Sequence, residues 1–151
     1  MKHQEKTPMD VLKLFLKLQS IDEDSGDVIT DLKAQKLLYY AQGMSLAKLG
    51  FPLFKDDFVA WQHGPVIPAL YEELKEFGSR QIELNEDVDV RKFSDEEQKL
   101  LVGVYKTFGQ YSAWKLRDMT HNEAPWKNVN IGDIITKESI RVFFSERYAG
   151  A

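Results

Sequence analysis

The feature that most constrains the fold of this chain is a succession of apolar residues at helical spacing, each run bounded by a capping residue, a glycine or a proline. The first run follows Thr7-Pro8, where threonine can cap a helix and proline suits its first turn. The second runs from about Thr30 to Leu49 and ends at Gly50. Four further helices are predicted, beginning after Pro65, Ser94, Ser112 and Thr136.

The rest of the chain predicts little regular structure. Phe58–Trp61 has the composition of a short strand, and residues 79–93 fit either a weak hairpin or an irregular acidic excursion. Residues 122–135 are expected to form a loop around Pro125. Gly43 lies inside the second helix, where close packing against another backbone would explain it.

These elements predict a mainly α (α+β) fold. We expect a compact single domain of about six helices with a short β-hairpin or strand pair, formed by residues 8–151 and preceded by a flexible N-terminal tail at 1–7. The length of 151 residues, with 43% hydrophobic and 29% charged residues, is typical of one globular domain.

Composition also narrows the classes of function. The chain has no cysteine, which excludes disulfides, thiolate metal sites and a cysteine nucleophile. A polar N-terminus and the absence of any apolar run of roughly 18 residues predict a cytoplasmic protein with no membrane partner. The net charge of -4 does not favour a nucleic-acid partner.

Candidate chemistry is sparse. A zinc site would require His63, His121 and Glu123 to converge, but no histidine pair has the spacing of a helical metal motif. Structural hydrogen bonding is the favoured role for both histidines, with a place in an interface as the alternative. There is no Gly-x-Ser-x-Gly elbow and no phosphate-binding glycine loop. We therefore predict no enzyme, no metal and no cofactor.

Two segments combine histidine, proline and tryptophan: Trp61-Gln62-His63-Gly64-Pro65 and Thr120-His121-Asn122-Glu123-Ala124-Pro125-Trp126. A tryptophan in such a position either fills the core or anchors an interface, and the residues alone slightly favour the core. If these segments contact a partner, the candidate residues are Trp61, His63, Pro65, His121, Pro125 and Trp126.

The order of these motifs resembles the Panacea antitoxin domain, a family also called SocA-like or phage-associated protein. The resemblance rests on the ranges 32–43, 53–54, 58–67 with Tyr71, 116–126 and 140–144. It extends over about residues 8–147, nearly the whole chain.

The resemblance implies a mostly helical antitoxin of a toxin–antitoxin system, often carried by a prophage, that neutralises a cognate protein toxin by direct binding. Some relatives instead resemble adaptors that deliver the toxin to an AAA+ protease, and this alternative stays open. A metal-dependent enzyme using His63 and His121 is the less favoured alternative. Small domains of this kind often self-associate, so a homodimer is also kept as an alternative.

Overall fold

The computed structural model describes residues 6–24 and 27–148, and one helix lies at its centre. This helix is α2, which is buried along most of its length and packs against four other helices. A helix buried on all sides belongs to the interior of a domain. The α-helices are α1 (Pro8–Ile21), α2 (Asp31–Lys48), α3 (Pro68–Leu74), α4 (Asp95–Phe108), α5 (Ala113–His121), α6 (Ala124–Lys127) and α7 (Lys137–Arg147).

Local capping determines where the helices begin, as the sequence predicts. Thr7 and Asp10 form a reciprocal capping box at α1, and Ser94 and Glu97 form another at α4. The side chains of Thr30, Ser112 and Thr136 cap α2, α5 and α7. Gly50 follows α2 with a φ of +86°, the left-handed conformation predicted for the end of this helix. None of the helices in the two described ranges is both long and apolar enough to cross a membrane.

A small antiparallel sheet covers one side of α2. Its strands are β1 (Phe58–Trp61), β2 (Gly64–Val66) and β3 (Ile134–Ile135), in the order β2-β1-β3. Ala60 pairs with Pro65, and Val59 pairs with Ile134. The predicted strand pair is therefore confirmed, and a third short strand extends it.

Two local predictions need correction, and the structure decides between the alternatives of a third. The described residues form seven α-helices rather than six, because Pro125 lies in the first turn of α6, a position that favours a helix, and not in a loop. The same predicted loop also contributes β3. Between 79 and 93 no strand forms, so the irregular alternative is confirmed; its one regular element is a 3-10 turn at Val90–Lys92.

The predicted N-terminal tail is too long. Residues 1–5 lie outside the described residues, but Lys6 is 2% exposed and Thr7 caps α1. The ammonium of Lys6 lies 2.8 Å from Glu97 Oε2 and 5.5 Å from the centre of the Phe93 ring. A polar residue near the end of a chain suggests a tail, but here a buried carboxylate provides it with a partner.

Aromatic rings pack closely around the middle of α2. Tyr40 stacks on Phe108 at 4.1 Å, while Tyr39 meets Phe144 edge-on at 5.4 Å. Gly43 makes room for this packing, because a Cβ at that position would lie 2.4–2.5 Å from three carbons of the Phe144 ring. The glycine is therefore explained by a neighbouring aromatic ring and not, as predicted, by a neighbouring backbone.

We predict that Gly43→Ala destabilises the protein by about 1–3 kcal/mol, because the added methyl group forces Phe144 out of its place. Gly103→Ala in α4 is the matched control, since a Cβ there meets nothing within 4 Å. Alanine is the better helix former, so the control should stabilise the protein by about 0.5–1 kcal/mol. Urea unfolding of both variants measures the difference, and equal effects would contradict the packing role of Gly43.

Candidate functional site

The two segments that carry histidine, proline and tryptophan meet in the structure. The indole Nε1 of Trp126 donates a 2.8 Å hydrogen bond to the carbonyl oxygen of Trp61, across 65 residues of chain. Arg117 Nε donates to His63 Nδ1 at 3.0 Å. The turn between β1 and β2 is thus fixed against α5 and α6, and the two segments form one structural unit.

Gly64 is required where this turn crosses α2. Its φ is +112°, and a Cβ would lie 2.7 Å from Lys36 Cε and 2.8 Å from Thr120 Oγ1. Any side chain here would therefore be strained in its backbone and would collide with two buried neighbours. This close approach explains the His-Gly-Pro sequence at the turn.

Lys36 lies beneath that turn and is fully buried. Its ammonium nitrogen donates a 2.9 Å hydrogen bond to the carbonyl oxygen of Pro65. The pKa of Lys36 is lowered to about 7, chiefly by burial; the carboxylate of Asp31 opposes this shift, and the charge of Arg117 adds to it. The lysine therefore holds the turn to α2 at a position where its charge is disfavoured.

Glu123 attaches the second segment to α2, as Lys36 attaches the first. Its carboxylate is buried and accepts hydrogen bonds from the hydroxyls of Tyr39 at 3.1 Å, Tyr40 at 2.9 Å and Tyr148 at 3.1 Å. Burial raises the pKa of Glu123, and the three tyrosine hydrogen bonds offset this only in part. Burial and the Glu123 charge also raise the pKa of the tyrosines, so they donate as neutral phenols. The carboxylate thereby joins α6 to α2 and to the end of α7.

His121 and Trp126 form a stacked pair beside this cluster. Their ring centres are 4.0 Å apart and their planes differ by 8°. Burial lowers the pKa of His121, and the charge of Arg117 acts in the same direction. Its Nε2 is buried, and no residue in the described ranges forms a hydrogen bond with it. The imidazole therefore serves mainly as a flat packing surface for the indole.

The described residues contain no cluster of three or more histidine, cysteine, aspartate or glutamate side chains that could hold a metal. His63 accepts from Arg117, His121 stacks on Trp126, and Glu123 accepts from tyrosines. These three side chains have separate sets of partners. The geometry gives no support to the alternative of a metal-dependent enzyme.

An open cavity of about 440 Å³ lies beside the turn, and we call it the aromatic groove. Trp114 is 58% exposed and Tyr71 is 38% exposed, so the groove presents two aromatic side chains to solvent. The residues that line the groove and enter the argument below are Asp31, Trp61, His63, Tyr71, Lys75 and Trp114.

Contacts between rings hold the walls of the aromatic groove in place. Trp61 meets Tyr71 edge-on at 5.1 Å, and His63 meets Trp114 edge-on at 5.6 Å. The guanidinium of Arg117 lies 5.3 Å from the centre of the Trp114 ring. The groove is therefore a formed surface with fixed aromatic walls and not a gap between loose side chains.

The six predicted partner-binding residues fall into different environments. Trp61 and His63 line the aromatic groove. Pro65 and Pro125 are buried, and His121 and Trp126 are half-buried in their stacked pair. Only the first two belong to the groove.

Sequence reasoning did not select Trp114 or Tyr71, the most exposed aromatic residues of the groove. Both lie on helices, where an aromatic residue usually faces the core. The signal available for Trp114 was its position, since it precedes the buried Leu116 by two residues and so points away from the buried face of α5. Helical spacing could therefore have identified its exposure.

The buried Lys36 should make the free energy of unfolding depend on pH. Between pH 7 and 10.5, the unfolded chain keeps Lys36 protonated while the folded protein loses the proton, so unfolding takes up a proton and stability rises with pH. From pH 7 to 9, the free energy of unfolding of wild type should rise by about 2 kcal/mol relative to Lys36→Met.

Urea unfolding at the two pH values measures this difference. Lys48→Met, at the exposed end of the same helix, is the control for loss of a lysine. A difference between wild type and Lys36→Met that does not change with pH would show that the lysine is not held in a neutral form.

Comparison with known proteins identifies the family. A family model described as "Antitoxin SocA-like, Panacea domain" matches residues 34–127, which include most of α2, the sheet turn and both histidine segments. The protein named Antitoxin SocA from Caulobacter vibrioides (strain NA1000 / CB15N) is 30% identical over 109 residues, covering 65% of this chain and 58% of that relative. The chain thus spans somewhat more than half of the relative's length. No solved structure gave a significant match. Because the family model matches more than half of the chain, this protein belongs to the SocA-like antitoxin family that carries the Panacea domain.

Proposed function

We propose that this protein is the antitoxin of a toxin–antitoxin pair and neutralises a protein toxin by direct binding at the aromatic groove. The family and the name of its relative support an antitoxin. The observation that carries the choice of surface is the exposure of Trp114 and Tyr71 next to Trp61 and His63. Tryptophan and tyrosine are the residues most often found at the energetic centre of protein interfaces.

The frame around the groove suits tight binding. The carbonyl of Trp61 is held by Trp126, and the imidazole of His63 is held by Arg117. Because these two residues already have partners in the free protein, ordering them costs less conformational entropy when a partner binds. A fixed aromatic surface therefore favours sequestration of a protein partner.

The remaining candidate residues act on this surface indirectly in our proposal. Pro65 accepts the hydrogen bond of the buried Lys36, while Pro125 lies in the first turn of α6, next to Trp126. His121 supports the same indole by stacking. Their substitution would change the shape of the groove without removing a contact to the partner.

The first test is co-expression with the protein encoded beside this gene. We expect that neighbour alone to arrest growth and wild-type antitoxin to restore it, and we expect the two proteins to purify as a complex.

Trp114→Ser should weaken the complex by at least about 30-fold, the loss typical of an interface hot spot. Because Trp114 is 58% exposed, its substitution should lower the free energy of unfolding by only about 1 kcal/mol, through the lost contacts with His63 and Arg117, and leave the protein folded.

Val142→Ser is the matched control. Val142 is 41% exposed and lines a separate cavity of about 670 Å³ between α6 and α7. It should bind and rescue as wild type does. Failure of wild type to rescue or to bind contradicts the proposed function, and equal losses in the two variants contradict the choice of groove. A shortened half-life of the neighbour protein would instead favour delivery to a protease.

A further inference from the structure

The aromatic groove contains one carboxylate that forms no ion pair with any described residue. Asp31 is the first residue of α2, is 7% exposed and lines the groove together with Trp61, Tyr71 and Trp114. Among the described residues, the one hydrogen bond to its side chain comes from Gln35 Nε2, which lies 3.3 Å from Oδ1. A neutral amide at that distance compensates little of a carboxylate charge.

The cations near the groove are engaged elsewhere. Lys36 donates to the carbonyl of Pro65, and Lys75 pairs with Glu72 at 2.7 Å. Arg117 pairs with Asp118 at 3.2 Å and donates to His63. No ion pair to Asp31 forms within the described parts of the chain.

The position of Asp31 at the start of α2 explains how the fold tolerates this carboxylate. The positive end of the helix dipole favours an anion in the first turn. Burial raises the pKa of Asp31, while the hydrogen bond from Gln35 and the charge of Lys36 lower it in part. The groove therefore contains a carboxylate with which a cationic group of a ligand would form an ion pair.

Resting on the proposed function, we infer that the aromatic groove receives an arginine side chain of the protein partner, with its guanidinium paired to Asp31 and its flat face against the aromatic walls. Arginine fits both features because its planar group stacks on aromatic rings and binds a carboxylate through two parallel hydrogen bonds. The lysine ammonium lacks the plane and the paired donors. Trp114 already accepts one guanidinium within the fold, that of Arg117 at 5.3 Å.

The groove can be probed without the partner. N-acetyl-arginine amide is titrated into the 15N-labelled full chain, and the indole N–H resonances of the three tryptophans are followed. We expect weak binding, with a Kd in the millimolar range for so small a ligand, and shifts at Trp61 and Trp114. Trp126 is the internal reference because its Nε1 is already bonded to the carbonyl of Trp61.

Ligand and protein variants separate charge from shape. The citrulline analogue keeps the shape without the charge and should bind at least about tenfold more weakly; the lysine analogue should also bind more weakly than arginine. Asp31→Asn should weaken arginine binding about tenfold and keep the bond to Gln35. Asp95→Asn is the matched control, since Asp95 is the first residue of α4 and lies outside the groove. Thermal unfolding of both variants checks that they are folded.

Three results would overturn the inference: equal binding of the arginine and citrulline probes, arginine binding that survives Asp31→Asn, or light scattering that shows a second copy of the chain occupying the groove through Trp114. The co-expression assay distinguishes failure of the arginine inference from failure of the proposed function. Rescue by wild type without arginine binding overturns the inference alone. Absence of rescue overturns the proposed function, while Asp31-dependent arginine binding would still establish the chemistry of the groove.

Discussion

The fold depends on hydrogen bonds to the polar side chains that α2 places in the core. Gln42 receives the backbone N–H of Leu53 at 2.8 Å and donates to the carbonyl of Phe54 at the same distance, while Gln35 receives the N–H of Ile67 at 2.9 Å. A buried amide without partners would be costly, so these side chains fix the segments that satisfy them. One central helix thus determines where the loops before and after the sheet turn can lie.

The same constraint explains why two distant segments of the sequence converge. Lys36 requires an acceptor and finds the carbonyl of Pro65, while Tyr39 and Tyr40 require an acceptor and find Glu123. Each histidine segment is therefore bonded to α2 as well as to the other segment. The bond from Trp126 to Trp61 joins two segments that α2 also holds.

The sequence correctly predicts helix ends, which depend on residues a few positions apart. It does not predict the partners of buried side chains, which depend on tertiary contacts. Capping by Thr7 and Ser94 and the end of α2 at Gly50 follow from residues a few positions apart, and these predictions are confirmed. Glu123 was considered only as a metal ligand, and its hydrogen bonds with three tyrosines were not predicted. These tyrosines lie in α2 and directly after α7, so no residue near Glu123 in the sequence indicates them. Lys6 was assigned to a tail because its partner Glu97 lies 91 positions away by the residue numbers.

The buried network also limits what substitution of the histidine segments can reveal. Gly64, Lys36 and Glu123 hold the fold, so a variant at any of them loses stability first, and its loss of binding does not locate an interface. Trp114 and Tyr71 are exposed and satisfy no buried group, so binding can change there while the fold stays intact. The two kinds of residue overlap in part, because Trp61, His63 and Tyr71 belong to the family motifs and also line the groove, while Trp114 lies outside those motifs. Stability in this domain depends on the buried contacts, whereas specificity for the proposed partner would depend on the exposed contacts of the groove.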